Sequence, residues 1–263
     1  MTTTHTISDS LTMFRRDLRH QQRYPSITIM LIGMPIVILL LFVYVLGGTL
    51  GAGLGAPAGG RADYIAYVVP GILLVAAAAV TTGTAISVAT DMTEGIVARF
   101  RSMAIARISV LSGHVLGAIV QTMLSLLAVT VVALAIGFRS TTGPVQWLAA
   151  AGVMLLIATA LTWVAVAMGT AARTVESASN MPMIFLLFPF LGSGFVPADS
   201  LPSGVSWFAE HQPFTPFIET LRGLLLGTPI GNNAVLTIAW CLAISLAGYL
   251  WARSAYERQS VRA

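Results

Sequence analysis

Six stretches of the chain carry no Asp, Glu, Lys or Arg: residues 24–60, 64–90, 108–138, 140–172, 177–198 and 223–252. A helix needs about 20 predominantly apolar residues to cross roughly 30 Å of hydrocarbon, and every stretch is long enough. Backbone polar groups in lipid must be satisfied within their own segment, and the alternation of a barrel strand is absent. The spacing predicts an all-α integral membrane protein with six transmembrane helices, at about 27–46, 64–89, 110–136, 145–170, 178–196 and 234–252.

The links between these blocks differ in character. Within residues 1–26, Ile7, Leu11, Phe14 and Leu18 recur at helical spacing with Arg15, Arg16 and Arg19 among them, which predicts an amphipathic helix at the membrane surface. The glycine-rich run from Gly47 to Gly60 reads as a flexible loop, because glycine lacks the restriction of a Cβ. Residues 91–107 are charged and mildly amphipathic, whereas residues 197–233 form a long, unusually apolar link before the last helix. The expected division is a cytoplasmic N-terminal segment 1–26, a six-span domain 27–253 and a cytoplasmic tail 254–263.

Composition excludes a soluble domain. Charged residues make up 9% of the 263 residues, apolar residues 56%, and mean hydropathy is +0.85; a soluble fold carries about 25% charge. All 14 basic residues are arginine. All but Arg61, Arg139 and Arg222 fall in the N-terminal segment, in 91–107, at Arg173 or in the tail. The positive-inside rule puts that arginine-rich side in the cytoplasm with both termini, in the cell (plasma) membrane. The same rule accounts for the net charge of +4, and no aromatic–basic interleaving points to nucleic acid. The single cysteine, Cys241, reads as a small packing residue.

Motifs of catalysis are missing. A P-loop needs a lysine on the phosphates, and this chain has none. Neither a His-Glu-x-x-His zinc motif nor a Gly-x-Ser-x-Gly elbow occurs. The expectation is a chain with no catalytic residue, no metal and no cofactor of its own. The predicted spans hold no acidic or basic residue, only His114 near the inner end of the third, read as an interfacial hydrogen-bonding residue. An ion-driven carrier would need intramembrane ionisable groups, so the driving force is expected from outside the chain.

Two links could do work. In 91–107, Asp91 and Glu94 suit a helix N-terminus, with Arg99 and Arg101 later along the dipole. Ile96 and Phe100 share a face at i, i+4, and apolar residues flanked by charge suggest a docking surface for a partner protein. In 197–233, Thr215-Pro216 reads as a helix start, Phe217, Leu221, Leu224 and Leu225 as its apolar stripe, Glu219 and Arg222 as an i, i+3 pair, and Gly227 as the stop. That pattern predicts a re-entrant helix, an external gate built on Phe214, Pro216, Glu219 and Arg222 or simply an interfacial anchor. Phe185, Phe188 and Phe190 suit an apolar cargo path, and Thr81, Thr82, Thr84 and Ser87 its polar side, although such hydroxyls more often bond their own helix.

Several motifs carry a resemblance. They are Val69-Pro70-Gly71-Ile72, the run from Gly95-Ile96-Val97-Ala98-Arg99-Phe100-Arg101 to Arg107, Phe195-Val196-Pro197-Ala198-Asp199, His211-Gln212-Pro213-Phe214-Thr215-Pro216 and Leu221-Arg222-Gly223. With the span count and order they resemble the ABC-2-type permeases, in particular the daunorubicin-resistance-type exporters of drugs and lipids. Ala104 stands where relatives often carry proline. The resemblance implies a separate ABC ATP-binding subunit holding ATP and Mg, and a second copy of this permease or a related one. It implies that 91–107 is the coupling helix seated on the ATPase, with Asp91, Glu94, Gly95, Ile96, Arg99, Phe100 and Arg101 at the contact. A non-transporting membrane scaffold and, less favoured by the missing intramembrane charges, a secondary transporter stay open as alternatives.

Overall fold

The structure is a computed structural model and describes residues 25–53, 60–93, 107–197 and 200–262. Among these residues there is no strand, and five helices are long and apolar enough to cross a membrane. The N-terminal amphipathic helix and residues 94–106 lie outside the described residues.

The first crossing is α1 (Pro25–Leu41), a π-helical turn (Phe42–Leu46) and α2 (Gly47–Gly53) in succession. The expectation of a loop from Gly47 onward is therefore corrected: helix continues to Gly53. The glycines allow close packing there, because a Cβ on Gly51 would lie 2.5 Å from the Gly60 carbonyl oxygen. Next come α3 (Arg61–Thr93), α4 (Arg107–Ala135) and α5 (Pro144–Ala171). The last long helix is α10 (Asn233–Arg262), which runs ten residues past the predicted end of its span.

The fifth apolar block is not one helix. It forms α6 (Val175–Asn180), α7 (Met183–Leu187) and a series of turns through Gly194. Thr174 and Ser177 make a capping box that starts α6. Pro182 and Pro189 lack the backbone donor that a continuous helix would use. The segment nevertheless packs along more than half of α3. Ala178 packs with Ala89 and Ala172 at one end, and at the other a Cβ on Gly71 would lie 2.6 Å from the Gly194 carbonyl oxygen. Residues 71 and 89 are 18 apart on α3, or about 27 Å of helix.

Between the turns and α10 lie α8 (Ser203–His211) and α9 (Phe214–Leu226). Helix α9 begins two residues earlier than Pro216 suggested and stops where expected: Gly227 takes φ +73 and donates its N–H to the Gly223 carbonyl at 2.9 Å. Phe214, Phe217, Ile218, Leu221 and Leu225 bury the stripe of α9 against α3, α5 and α10.

The core forms around α3, which is buried along most of its length, while the first and last crossings are largely exposed. Exposed apolar side chains such as Ile29, Val37, Leu148, Val235 and Leu242 cover the periphery. That surface is stable against lipid but not against water. Cys241 is buried, as its packing reading required.

Candidate functional site

The antiparallel helices gather two sets of links at opposite ends. One end holds the start of α3, the α4–α5 link, and α9. Ser140 Oγ donates to the Leu225 carbonyl at 2.6 Å, Thr141 Oγ1 to Leu226 at 2.6 Å and Thr142 Oγ1 to Leu224 at 2.8 Å. Three hydroxyls thus occupy the terminal carbonyls that every helix leaves without an internal donor.

Arg222 organises this end. It is 7% exposed and makes an ion pair with Glu219 across one helical turn, the i, i+3 pairing expected from the sequence. Its Nη2 also donates to the Ser193 carbonyl at 2.7 Å and to the Tyr67 carbonyl at 3.3 Å. The guanidinium carbon lies 3.9 Å from the centroid of the Tyr67 ring, and the Tyr67 hydroxyl donates to the same Ser193 carbonyl at 2.9 Å. One cation therefore joins α9, the turn after α7, and α3. Gln212 adds a second tie, its Nε2 donating to the Phe188 carbonyl at 3.0 Å. Among the described residues, Arg222 Nε, Ser193 Oγ and Gln212 Oε1 are buried without a hydrogen-bond partner.

The aromatic residues meet at this end too. Phe188 lies 5.3 Å from Phe214 and 6.1 Å from Phe185, and Phe190 stacks on Phe195 at 4.2 Å beside Phe42 of the π-turn. The expected path residues Phe185 and Phe188 are thus in one cluster with the expected gate residue Phe214. Pro216, in the first turn of α9, gives its carbonyl to Thr237 Oγ1 of α10 at 2.9 Å.

Thr81, Thr82, Thr84 and Ser87 sit elsewhere. They lie from ten residues past Gly71 on α3, about 15 Å along the helix. Thr81 Oγ1 donates to the Ala78 carbonyl at 2.5 Å and Thr84 Oγ1 to Val80 at 3.0 Å, so both bond their own helix. Thr82 Oγ1 is buried with no partner, and Ser87 is half-buried.

The opposite end corrects the reading of Asp91. The acid does not open a helix in the link; it lies two residues before the end of α3, buried, with Oδ2 at 3.2 Å from His114 Nε2 of α4. Helix α3 outlasts its charge-free block by a turn and carries the acid with it. His114 is correspondingly a buried partner rather than an interfacial side chain. Around the pair, Val88, Leu111, Val115, Val166, Ala252 and Tyr256 join α3, α4, α5 and α10. Of the expected contact residues only Asp91 is described; Glu94, Gly95, Ile96, Arg99, Phe100 and Arg101 lie outside the described residues. No group of three or more His, Cys, Asp or Glu suited to a metal occurs among the described residues.

Sequence reasoning missed Tyr67, Ser193 and the Asp91–His114 pairing. The pairing left one faint signal, an acid and a histidine flanking the same link, 23 residues apart. Ser193 contributes a backbone carbonyl, which carries no residue signature, and Tyr67 adds its ring and hydroxyl to its carbonyl from a helix 155 residues away from Arg222 in sequence.

Residues 9–226 match the ABC-2 type transporter family, and the chain belongs to it: a multi-pass membrane component of a transport system. Relatives include the daunorubicin resistance ABC transporter permease protein DrrB1 of Streptomyces coeruleorubidus, 27% identical over 84% of this chain and 76% of that protein. Another is the probable doxorubicin resistance ABC transporter permease protein DrrC of Mycobacterium tuberculosis, 28% identical over 73% of this chain and 70% of its own length.

Proposed function

We propose that the chain is the membrane-spanning permease subunit of an ATP-driven exporter in the plasma membrane, moving a hydrophobic or amphipathic drug or lipid outward. A separate ABC ATP-binding subunit holds the ATP and Mg, and a second permease copy or a related permease completes the pathway. The drug-resistance relatives support this class of cargo.

The observation that carries the reading is the layout of α3. Its Tyr67 and Asp91 are 24 residues apart, or about 36 Å along the helix, just beyond the roughly 30 Å of hydrocarbon. Each sits in a buried charged cluster, so the charges fall at the two membrane boundaries and the apolar length between them. The broken segment of α6, α7 and the turns after it, which follows α3 from Ala89 to Gly71, is the fifth of six crossings. Both termini then lie on one side, which the arginine distribution makes the cytoplasmic one, and α8 and α9 form a re-entrant unit on the outer side.

In this arrangement residues 94–106 meet the ATPase through Glu94, Gly95, Ile96, Arg99, Phe100 and Arg101. Closure of the ATPase moves the foot of α3, and the rigid helix delivers the motion to the joint at Arg222. The unspent hydrogen-bonding capacity of Arg222 Nε, Ser193 Oγ and Gln212 Oε1 supports a joint with a second set of partners, since a transition needs differential contacts in two states. Opening there would part the Phe188–Phe214 contact and release cargo outward.

The test is Phe100→Asp in the permease–ATPase complex reconstituted in liposomes. Insertion is expected to be normal and cargo-stimulated ATP hydrolysis lost. Normal stimulation in that variant would refute the assignment of residues 94–106.

A further inference from the structure

We infer that Asp91 and His114 are positioning residues for energy coupling: their buried contact locks the feet of α3 and α4 into one unit, so that α3 moves as a whole. The inference rests on the reading of residues 94–106 as the ATPase contact. Those residues join Thr93, the end of α3, to Arg107, the start of α4. A force on such a link can splay its two limbs or move them together. Asp91 Oδ2 and His114 Nε2, 3.2 Å apart, bridge the limbs two residues before the end of α3 and seven residues into α4.

The His114 and Asp91 side chains are 9% and 12% exposed, which separates this contact from a surface pair of negligible worth. Val88 and Met92 flank the acid on α3, and Leu111 and Val115 flank the histidine on α4, within the apolar cluster that also holds Tyr256. Stability alone does not call for polar groups in this seam, because replacing a buried polar or ionic pair with hydrophobic residues of similar volume is often neutral or stabilising. What they would not provide is direction. A hydrogen bond fixes one atom against another, whereas leucines slide. The remainder of α3 suits transmission, being buried along most of its length and passing Gly71 and Tyr67 at the outer joint.

The test uses the full-length permease co-expressed with its ATPase and reconstituted in liposomes. The double variant Asp91→Leu, His114→Leu is compared with Asp91→Asn, which keeps a side-chain hydrogen bond. The double variant is expected to melt at or above the wild-type temperature, to co-purify with the ATPase at wild-type stoichiometry and to keep the KM for ATP. With daunorubicin as the probe cargo, the amount transported per ATP hydrolysed is expected to fall at least about tenfold, within the usual range of coupling between sites. Asp91→Asn is expected to restore the ratio to within about threefold of wild type. Wild-type coupling in the double variant would overturn the inference, as would an Asp91→Asn variant as uncoupled as the leucine pair. A wild-type permease that forms no ATPase complex would overturn the proposed function as well, and that outcome is read before any variant is made.

Discussion

Replacing Arg222 with alanine strips four interactions from one point. The Glu219 ion pair is lost, but the carboxylate side chain is 30% exposed and can turn to water, so its share is discounted to about 1 kcal/mol. The 2.7 Å bond to the Ser193 carbonyl is charge-assisted and is worth about 1.5–3 kcal/mol. That carbonyl keeps the Tyr67 hydroxyl as a donor, which argues for the lower figure. The 3.3 Å bond to the Tyr67 carbonyl adds little, and the contact with the Tyr67 ring adds about 0.5–1 kcal/mol. A loss of about 3 kcal/mol follows, a factor of roughly 100 in the closed-to-open ratio of the joint. Hydrogen exchange read by mass spectrometry on the detergent-purified permease is the direct assay. Peptides covering 188–196 and 214–226 are expected to exchange faster in Arg222→Ala, while those in α4 and α10 stay unchanged. Tyr67→Phe keeps the ring and loses only the hydroxyl bond, so it should show a smaller effect in the same peptides, about 1 kcal/mol. Wild-type exchange at 188–196 in Arg222→Ala would refute the claim that this cation holds the turn to α3.

Three further outcomes test separate parts of the fold. Gly71→Ala forces a Cβ to 2.6 Å from the Gly194 carbonyl oxygen and is expected to destabilise by about 1–3 kcal/mol; Gly33→Ala, with nothing within 4 Å, should gain up to about 1 kcal/mol, and equal melting temperatures for the two would contradict the packing. Thr142→Ala removes the 2.8 Å bond to the Leu224 carbonyl and should cost about 1 kcal/mol, seen as faster exchange at the end of α9 and beyond, with no change at Asp91. Cys241 is 2% exposed, so the folded protein should resist maleimide until denatured, and Cys241→Ala should be mild enough to serve as a cysteine-less background; rapid labelling of the native chain would contradict the burial.

The long helices were legible because lipid leaves the chain few choices. A block without charge must be a helix, and the observed ends of α3, α4 and α5 fall within a few residues of the blocks' edges. The fifth block was equally apolar, yet its backbone breaks. Pro182 and Pro189 remove two backbone donors from it, and the turn at Gly194 needs the bare backbone of Gly71, 123 residues away in sequence. Gly47–Gly53 went the other way: local propensity disfavours helix, but packing on Gly60, Arg61 and Tyr64 overrides it. For Arg222 the partner one turn away was visible, because side-chain spacing on a helix is regular. Its carbonyl partners at Ser193 and Tyr67 were not, because any residue type offers a carbonyl. Asp91 departs from the pattern for a related reason: a charge ordinarily marks the end of a membrane helix, whereas a buried histidine on the next helix lets α3 keep its acid inside the bundle.

The central claim is that residues 94–106 face the cytoplasm and seat on a nucleotide-hydrolysing partner. A photo-crosslinking residue at position 100, activated in intact cells expressing the permease and followed by mass spectrometry of the adduct, tests it most directly. The account predicts one dominant adduct, an ABC ATP-binding subunit, formed in wild-type cells and lost when that subunit is deleted. Adducts confined to lipid or to proteins of the outer face would contradict it.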